Sequence, residues 1–117
     1  MSDLIEIVKA NELENGSKKK ISVRGKDILL AKINGKYYAV DNRCPHLGGD
    51  LSKGKLNGNL IVCPKHRSEF DLRDGRVIRW TDWSGIKLNL AKVVRSPKAL
   101  KTYSVKEDRG KIFVEIK

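Results

Sequence analysis

Short apolar runs separated by turn residues dominate the chain. Leu4-Ile5-Glu6-Ile7-Val8 and Lys20-Ile21-Ser22-Val23-Arg24 are apolar or alternating and end in polar turns, which predicts strands. Asp27 to Ile33 and Lys36 to Val40 flank Asn34-Gly35, a dipeptide in which both residues accept positive φ, so a hairpin is predicted there. Leu60 to Cys63 follows the turn Asn57-Gly58-Asn59, and Val77 to Trp80 follows Asp74-Gly75. Lys101 to Lys106 and Lys111 to Ile116 are joined by Glu107-Asp108-Arg109-Gly110, which predicts a closing hairpin. The exception to this β pattern is the segment 81–97. Ile86, Leu90, Val93 and Val94 share one helical face, although Ile86, Leu88 and Leu90 also alternate as a strand would. Its length and the Ser96-Pro97 stop favour a short amphipathic helix, placed near 84–95. An all-β fold carrying one helix-like insertion is the expectation.

Length limits this to one domain, because 117 residues bury a single core but not two. The longest apolar candidate, Ile28-Leu29-Leu30-Ala31, is cut by Lys32, far short of the roughly 20 residues of a membrane span. MSDLIEIVKA has no basic segment followed by an apolar run and a small-residue cleavage site, so a secretory signal is not expected and a cytoplasmic location is. The net charge of +11 is uneven: residues 75–117 hold eleven Lys/Arg against four Asp/Glu. Such a surface suits an acidic protein, a nucleic acid or an anionic membrane, and charge alone does not choose among them.

The choice comes from the cysteines and histidines. The chain has two of each, arranged as Cys44-x-His46, sixteen intervening residues, then Cys63-x-x-His66. Two cysteines make no disulfide framework. Thiolate and imidazole together suit zinc, copper or an iron–sulfur cluster. Pro45, Gly48, Gly49, Gly54 and Pro64 surround them, and glycine lets backbone approach a bulky inorganic group. A structural zinc site remains open on ligand type alone, but C-x-H is tighter than the usual zinc knuckle.

CPHLGGDLSKG and CPKHRSEFD resemble the two cluster-binding loops of the Rieske family, and Phe70-Asp71 and Asp74-Gly75 fit that pattern too. The resemblance implies an antiparallel β-sandwich or incomplete barrel in which 1–117 is a single Rieske domain, with a cluster-binding subdomain built from loops 43–50 and 62–71. It also implies a [2Fe–2S] cluster, with Cys44 and Cys63 on the inner iron and His46 and His66 on the outer one. Exchanging two thiolates for two neutral imidazoles makes such a cluster easier to reduce, roughly −150 to +300 mV against about −400 mV for plant-type clusters.

Departures from the family pattern narrow the reading. Gly48 and Lys65 stand where Rieske subunits of membrane complexes carry an additional disulfide, so the likeness is to soluble Rieske-type ferredoxins. Ser68 stands where high-potential members place a hydroxyl beside the cluster, Phe70 where they place a tyrosine, and Arg67 where a glycine is common. An oxygenase would need a further 2-His-1-carboxylate iron site, and both histidines are already used. The chain has no G-x-G-x-x-G turn for a dinucleotide. An electron carrier, not an enzyme, is therefore expected. Its partner would be an acidic redox protein (a reductase, an oxygenase or another oxidoreductase component), with no membrane role. Two other readings are a non-catalytic Rieske subunit or redox sensor within a larger complex, and a basic nucleic-acid-binding module with structural zinc. The last would stack bases on Trp80 and Trp83 and leaves the Cys/His pattern unexplained.

Overall fold

Strand β3 (Lys26–Ile33) is the spine of the molecule, and its composition says why: Ile28 to Ala31 are all fully enclosed. In a strand successive side chains point to opposite faces, so a strand apolar on both faces must be covered on both. Leu29, Ala31 and Ile33 enter one apolar cluster, while Ile28 and Leu30 enter another. The computed structural model describes residues 3–44, 49–64, 67–79 and 99–116. The expected helix over 81–97, with Trp80 and Trp83, lies outside the described residues.

Around β3, the described residues form three antiparallel sheets. The central sheet has the order β2 (Ser17–Val23), β3, β4 (Lys36–Asp41) and β9 (Thr102–Tyr103). A second sheet sets β11 (Lys111–Ile116) between β1 (Asp3–Lys9) and β10 (Val105–Asp108), and its Val8, Ile112, Val114 and Ile116 cover one face of β3. The third is a meander of β5 (Lys55–Asn57), β6 (Leu60–Val62), β7 (Glu69–Asp71) and β8 (Val77–Arg79). Its Ile61 and Phe70, with Leu51 and Leu72, cover the other face. The expected all-β class is what the chain adopts.

Differences from the sequence pattern have local causes. β2 begins at Ser17, not Lys20, because the run Lys18-Lys19-Lys20 hides a strand that, among the described residues, pairs only with β3, and lysines are what an edge strand carries. The expected strand Lys101–Lys106 breaks at Ser104. Before the break, the Lys101 carbonyl accepts the Asp41 N–H at 2.9 Å; after it, the Ser104 carbonyl accepts the Glu115 N–H at 2.9 Å. The segment changes sheets there. The Asn34-Gly35 hairpin forms as expected, with φ of 51° and 80° between the paired Ile33 and Lys36. The closing hairpin forms as well, its turn reduced to Arg109-Gly110. Among the described residues no helix is long and apolar enough to cross a membrane.

Candidate metal centre

Two loops leave the sheets carrying the cysteines. The first runs from the end of β4 to a 3-10 turn at Leu51–Lys53. Its base is held on both sides: Arg43 and Asp50 form an isolated antiparallel bridge, the Cys44 N–H donates to the Gly49 carbonyl at 2.9 Å, and the Leu51 N–H donates to the Asn42 carbonyl at 2.9 Å. Asp50 caps the 3-10 turn, the role for which aspartate is favoured. Its Oδ1 accepts from Asn42 Nδ2 (2.7 Å), Ser52 Oγ (2.5 Å) and the Ser52 N–H (3.0 Å). These bonds, led by the Ser52 hydroxyl and then the Asn42 amide, outweigh desolvation and lower the Asp50 pKa to about 2. From β2, Lys20 Nζ stands 3.6 Å from Asp50 Oδ2, and Lys18 Nζ donates to the Ser52 carbonyl at 2.5 Å. Lys18 and Lys20 are two apart on a strand, hence on one face, and both reach the base of this loop.

The second loop joins β6 to β7 and closes on Cys63 itself. The Cys63 N–H donates to the Ser68 carbonyl at 2.8 Å, and the Arg67 N–H donates to the Cys63 carbonyl at 3.0 Å. Arg67 holds φ at 58°. A left-handed backbone costs an L-residue about 1 kcal/mol relative to glycine. The backbone takes the conformation a glycine would take, and the arginine bears it.

At the end of β7, the buried Asp71 carboxylate accepts from the Arg73 N–H (2.9 Å), Nε (3.0 Å) and Nη2 (2.7 Å). Those bonds prevail over burial and lower the Asp71 pKa. This turn places Leu72 in the core and brings Gly75 against the strand entering β9, where the Leu100 N–H donates to the Gly75 carbonyl at 2.8 Å.

Of the residues singled out from the sequence, Cys44 and Cys63 are 1% and 2% exposed, lie in the same apolar cluster and form no disulfide. Ser68 is fully enclosed in the turn that closes on Cys63. His46 and His66 lie outside the described residues, as do Gly48 and Lys65. Asn42, Asp50 and Ser52, with Lys18 and Lys20, were not found from sequence. The one available signal was Asp50-Leu51-Ser52, a capping pattern in front of a short turn. A groove of about 530 Å³ lined by Tyr37, Tyr38, Arg73, Lys101 and Tyr103 involves neither cysteine-bearing loop.

Two enclosed thiols, each heading a hydrogen-bonded loop off an all-β frame, are donors of the kind that suits zinc, copper(I) or an iron–sulfur cluster. The model of the Rieske [2Fe-2S] domain matches residues 3–103, and the chain belongs to that family. It is 30% identical over 112 residues to the ferredoxin component of the naphthalene 1,2-dioxygenase system of Pseudomonas aeruginosa, covering 96% of this chain and 94% of that one. It is 31% identical over 117 residues to the 3-phenylpropionate/cinnamic acid dioxygenase ferredoxin subunit of Photorhabdus laumondii, covering 99% and 96%. Among solved structures, the ferredoxin of carbazole 1,9a-dioxygenase from Nocardioides aromaticivorans superimposes with a TM-score of 0.78 at 21% identity, covering 95% of each chain. The cofactor is a Rieske-type [2Fe–2S] cluster, and the protein is an electron carrier of the ferredoxin kind, not a catalyst.

Proposed function

We propose that residues 1–117 form one Rieske domain in which loops 43–50 and 62–71 hold the cluster through Cys44, His46, Cys63 and His66. The cysteines take the inner iron and the histidines the outer one. The observation that carries this assignment is the placing of Cys44 and Cys63, far apart in sequence, in one apolar cluster at the bases of two hydrogen-bonded loops. When bound, the cluster takes up and releases a single electron. What the chain does is fix the thiols, keep water from them with Leu51, Ile61, Phe70 and Leu72, and seal Ser68 beside Cys63 as a residue that tunes the site.

The partner is an acidic redox protein, an oxygenase or reductase component, met in the cytoplasm. Support comes from the relatives, named as components of dioxygenase systems. It comes also from the exposed cations Arg43, Lys53, Lys55 and Arg67 on the two loops and just beyond them. The ligand assignment is tested by iron and sulfide content and the reduced-state EPR spectrum of Cys44→Ala, His46→Ala, Cys63→Ala and His66→Ala. Each variant should lose the wild-type signal. A variant that keeps full iron and an unchanged spectrum removes that residue from the site.

A further inference from the structure

Asn42 is 3% exposed, and its backbone and side-chain polar groups are engaged where the first loop leaves the frame. Its N–H donates to the Asp27 carbonyl on β3, and its carbonyl accepts the Leu51 N–H, both at 2.9 Å. The side-chain amide spans the same gap. Nδ2 donates to Asp50 Oδ1 at 2.7 Å, and Oδ1 accepts the Ser52 N–H at 2.9 Å. Turning the amide over would set two acceptors, Asn42 Oδ1 and Asp50 Oδ1, against each other, so the network fixes which end is which. Asparagine supplies one donor and one acceptor at this reach. Aspartate supplies only acceptors, and leucine supplies neither.

These bonds make the innermost rung of a stem. Asn42 is joined to Leu51 and Ser52, Arg43 to Asp50, and Cys44 to Gly49. Cys44 stands on the third rung, and Leu51 from the first shares an apolar cluster with Cys44 and Cys63. A change at the first rung therefore reaches the thiol through two steps of paired backbone. Lys20 Nζ, 3.6 Å from Asp50 Oδ2, also ties the stem, but its side chain is 41% exposed and solvent weakens such a pair. The enclosed amide is the stronger tie, because its loss leaves groups on Asp50 and Ser52 short of a partner.

We propose that Asn42 is a positioning residue for the cluster: paired with Asp50, it sets where the first loop holds Cys44, and so how firmly and in how uniform a geometry the iron is bound. The inference rests on the ligand assignment above and adds a residue outside the ligand set.

The test uses cluster-loaded protein held far below its unfolding temperature. Iron loss to a chelator, the line widths of the reduced-state EPR spectrum and the unfolding temperature are compared for wild type, Asn42→Ala, Asn42→Asp, the double variant Asn42→Asp/Asp50→Asn, and Val114→Ala. Val114 is buried in the other apolar cluster, so its truncation weakens the fold without touching the stem. Asn42→Ala and Asn42→Asp should lose iron about 10–100-fold faster than wild type and give broader lines as the ligand geometry spreads. The double variant returns one donor and one acceptor to the pair and should recover most of both properties. Should Asn42→Asp take up no cluster, the double variant should take it up again. Val114→Ala should unfold earlier, yet keep the wild-type lines and nearly the wild-type rate of iron loss. An Asn42→Ala with wild-type lines and iron loss overturns the inference. So does a Val114→Ala as labile as Asn42→Ala, since iron retention would then follow global stability. A double variant no better than Asn42→Asp overturns the pairing on which the inference stands. A Cys44→Ala that keeps its iron and an unchanged spectrum overturns the ligand assignment and this inference together, whereas the other failures leave that assignment intact.

Discussion

Ser68 is wholly enclosed in the turn that carries Cys63, and a hydroxyl buried there requires a hydrogen-bond partner inside the protein. A hydrogen bond to sulfur stabilises an added electron, and Ser68→Ala should lower the reduction potential by roughly 20–60 mV, the equivalent of one ordinary hydrogen bond. Redox titration of the two proteins checks this, and an unchanged potential would reduce Ser68 to a loop-closing residue. Asp50 leads to a prediction about acid. Its pKa falls from 3.8 to about 2 on folding, so its contribution is complete above pH 4 and disappears as pH falls from about 4 to 2. With the side chain 29% exposed, that contribution is about 1–2 kcal/mol. Asp50→Asn should be less stable than wild type at pH 6, and the gap in denaturant midpoint should close near pH 2. At this scale the sequence singled out Cys44 and Cys63 by their rare chemistry and Ser68 by its place in the Rieske pattern. Asn42, Asp50 and Ser52 stayed hidden because asparagine, aspartate and serine are ordinary loop residues until geometry joins them.

Elements were legible where an apolar run met a turn signal. β3 and β4 carry long apolar patterns around an unmistakable turn, and they form where expected. β5 and β7 have three residues each, too few for any period, and exist because Leu56, Ile61 and Phe70 line up across the meander. One glycine decides whether that meander docks. Gly54 has an ordinary φ of −81°, yet a Cβ there would lie 1.9 Å from the Val62 carbonyl oxygen. Its N–H also closes the 3-10 turn on the Leu51 carbonyl at 3.0 Å. Gly54→Ala must push β6 away, at a cost of about 1–3 kcal/mol, which thermal unfolding would show. Because β6 leads into Cys63, the same variant should also lose its cluster faster than wild type when challenged with an iron chelator.

For the whole molecule the charge is the dominant property. Of the net +11, much is carried by residues 75–117, and exposed Arg43, Lys53, Lys55 and Arg67 put positive charge on and near the two loops. Electron transfer to the acidic partner proposed above should therefore slow as salt rises, most steeply where the screening length drops below about 10 Å near 0.1 M. A rate indifferent to salt would mean that the basic surface plays no part in docking. The layered architecture was only partly visible beforehand, because periodicity reports which residues are covered but not by which sheet.

The double covering of β3 also orders the molecule in time. Amide protons of Leu29, Leu30 and Ala31 are shielded above and below, and β2 and β4 flank the strand on either side. They can meet solvent deuterium only when the whole structure opens, whereas amides of the edge strand β2 beyond its pairing with β3 exchange through local fraying. The slowest hydrogen exchange should therefore map to β3, giving a direct reading of global stability from inside the protein.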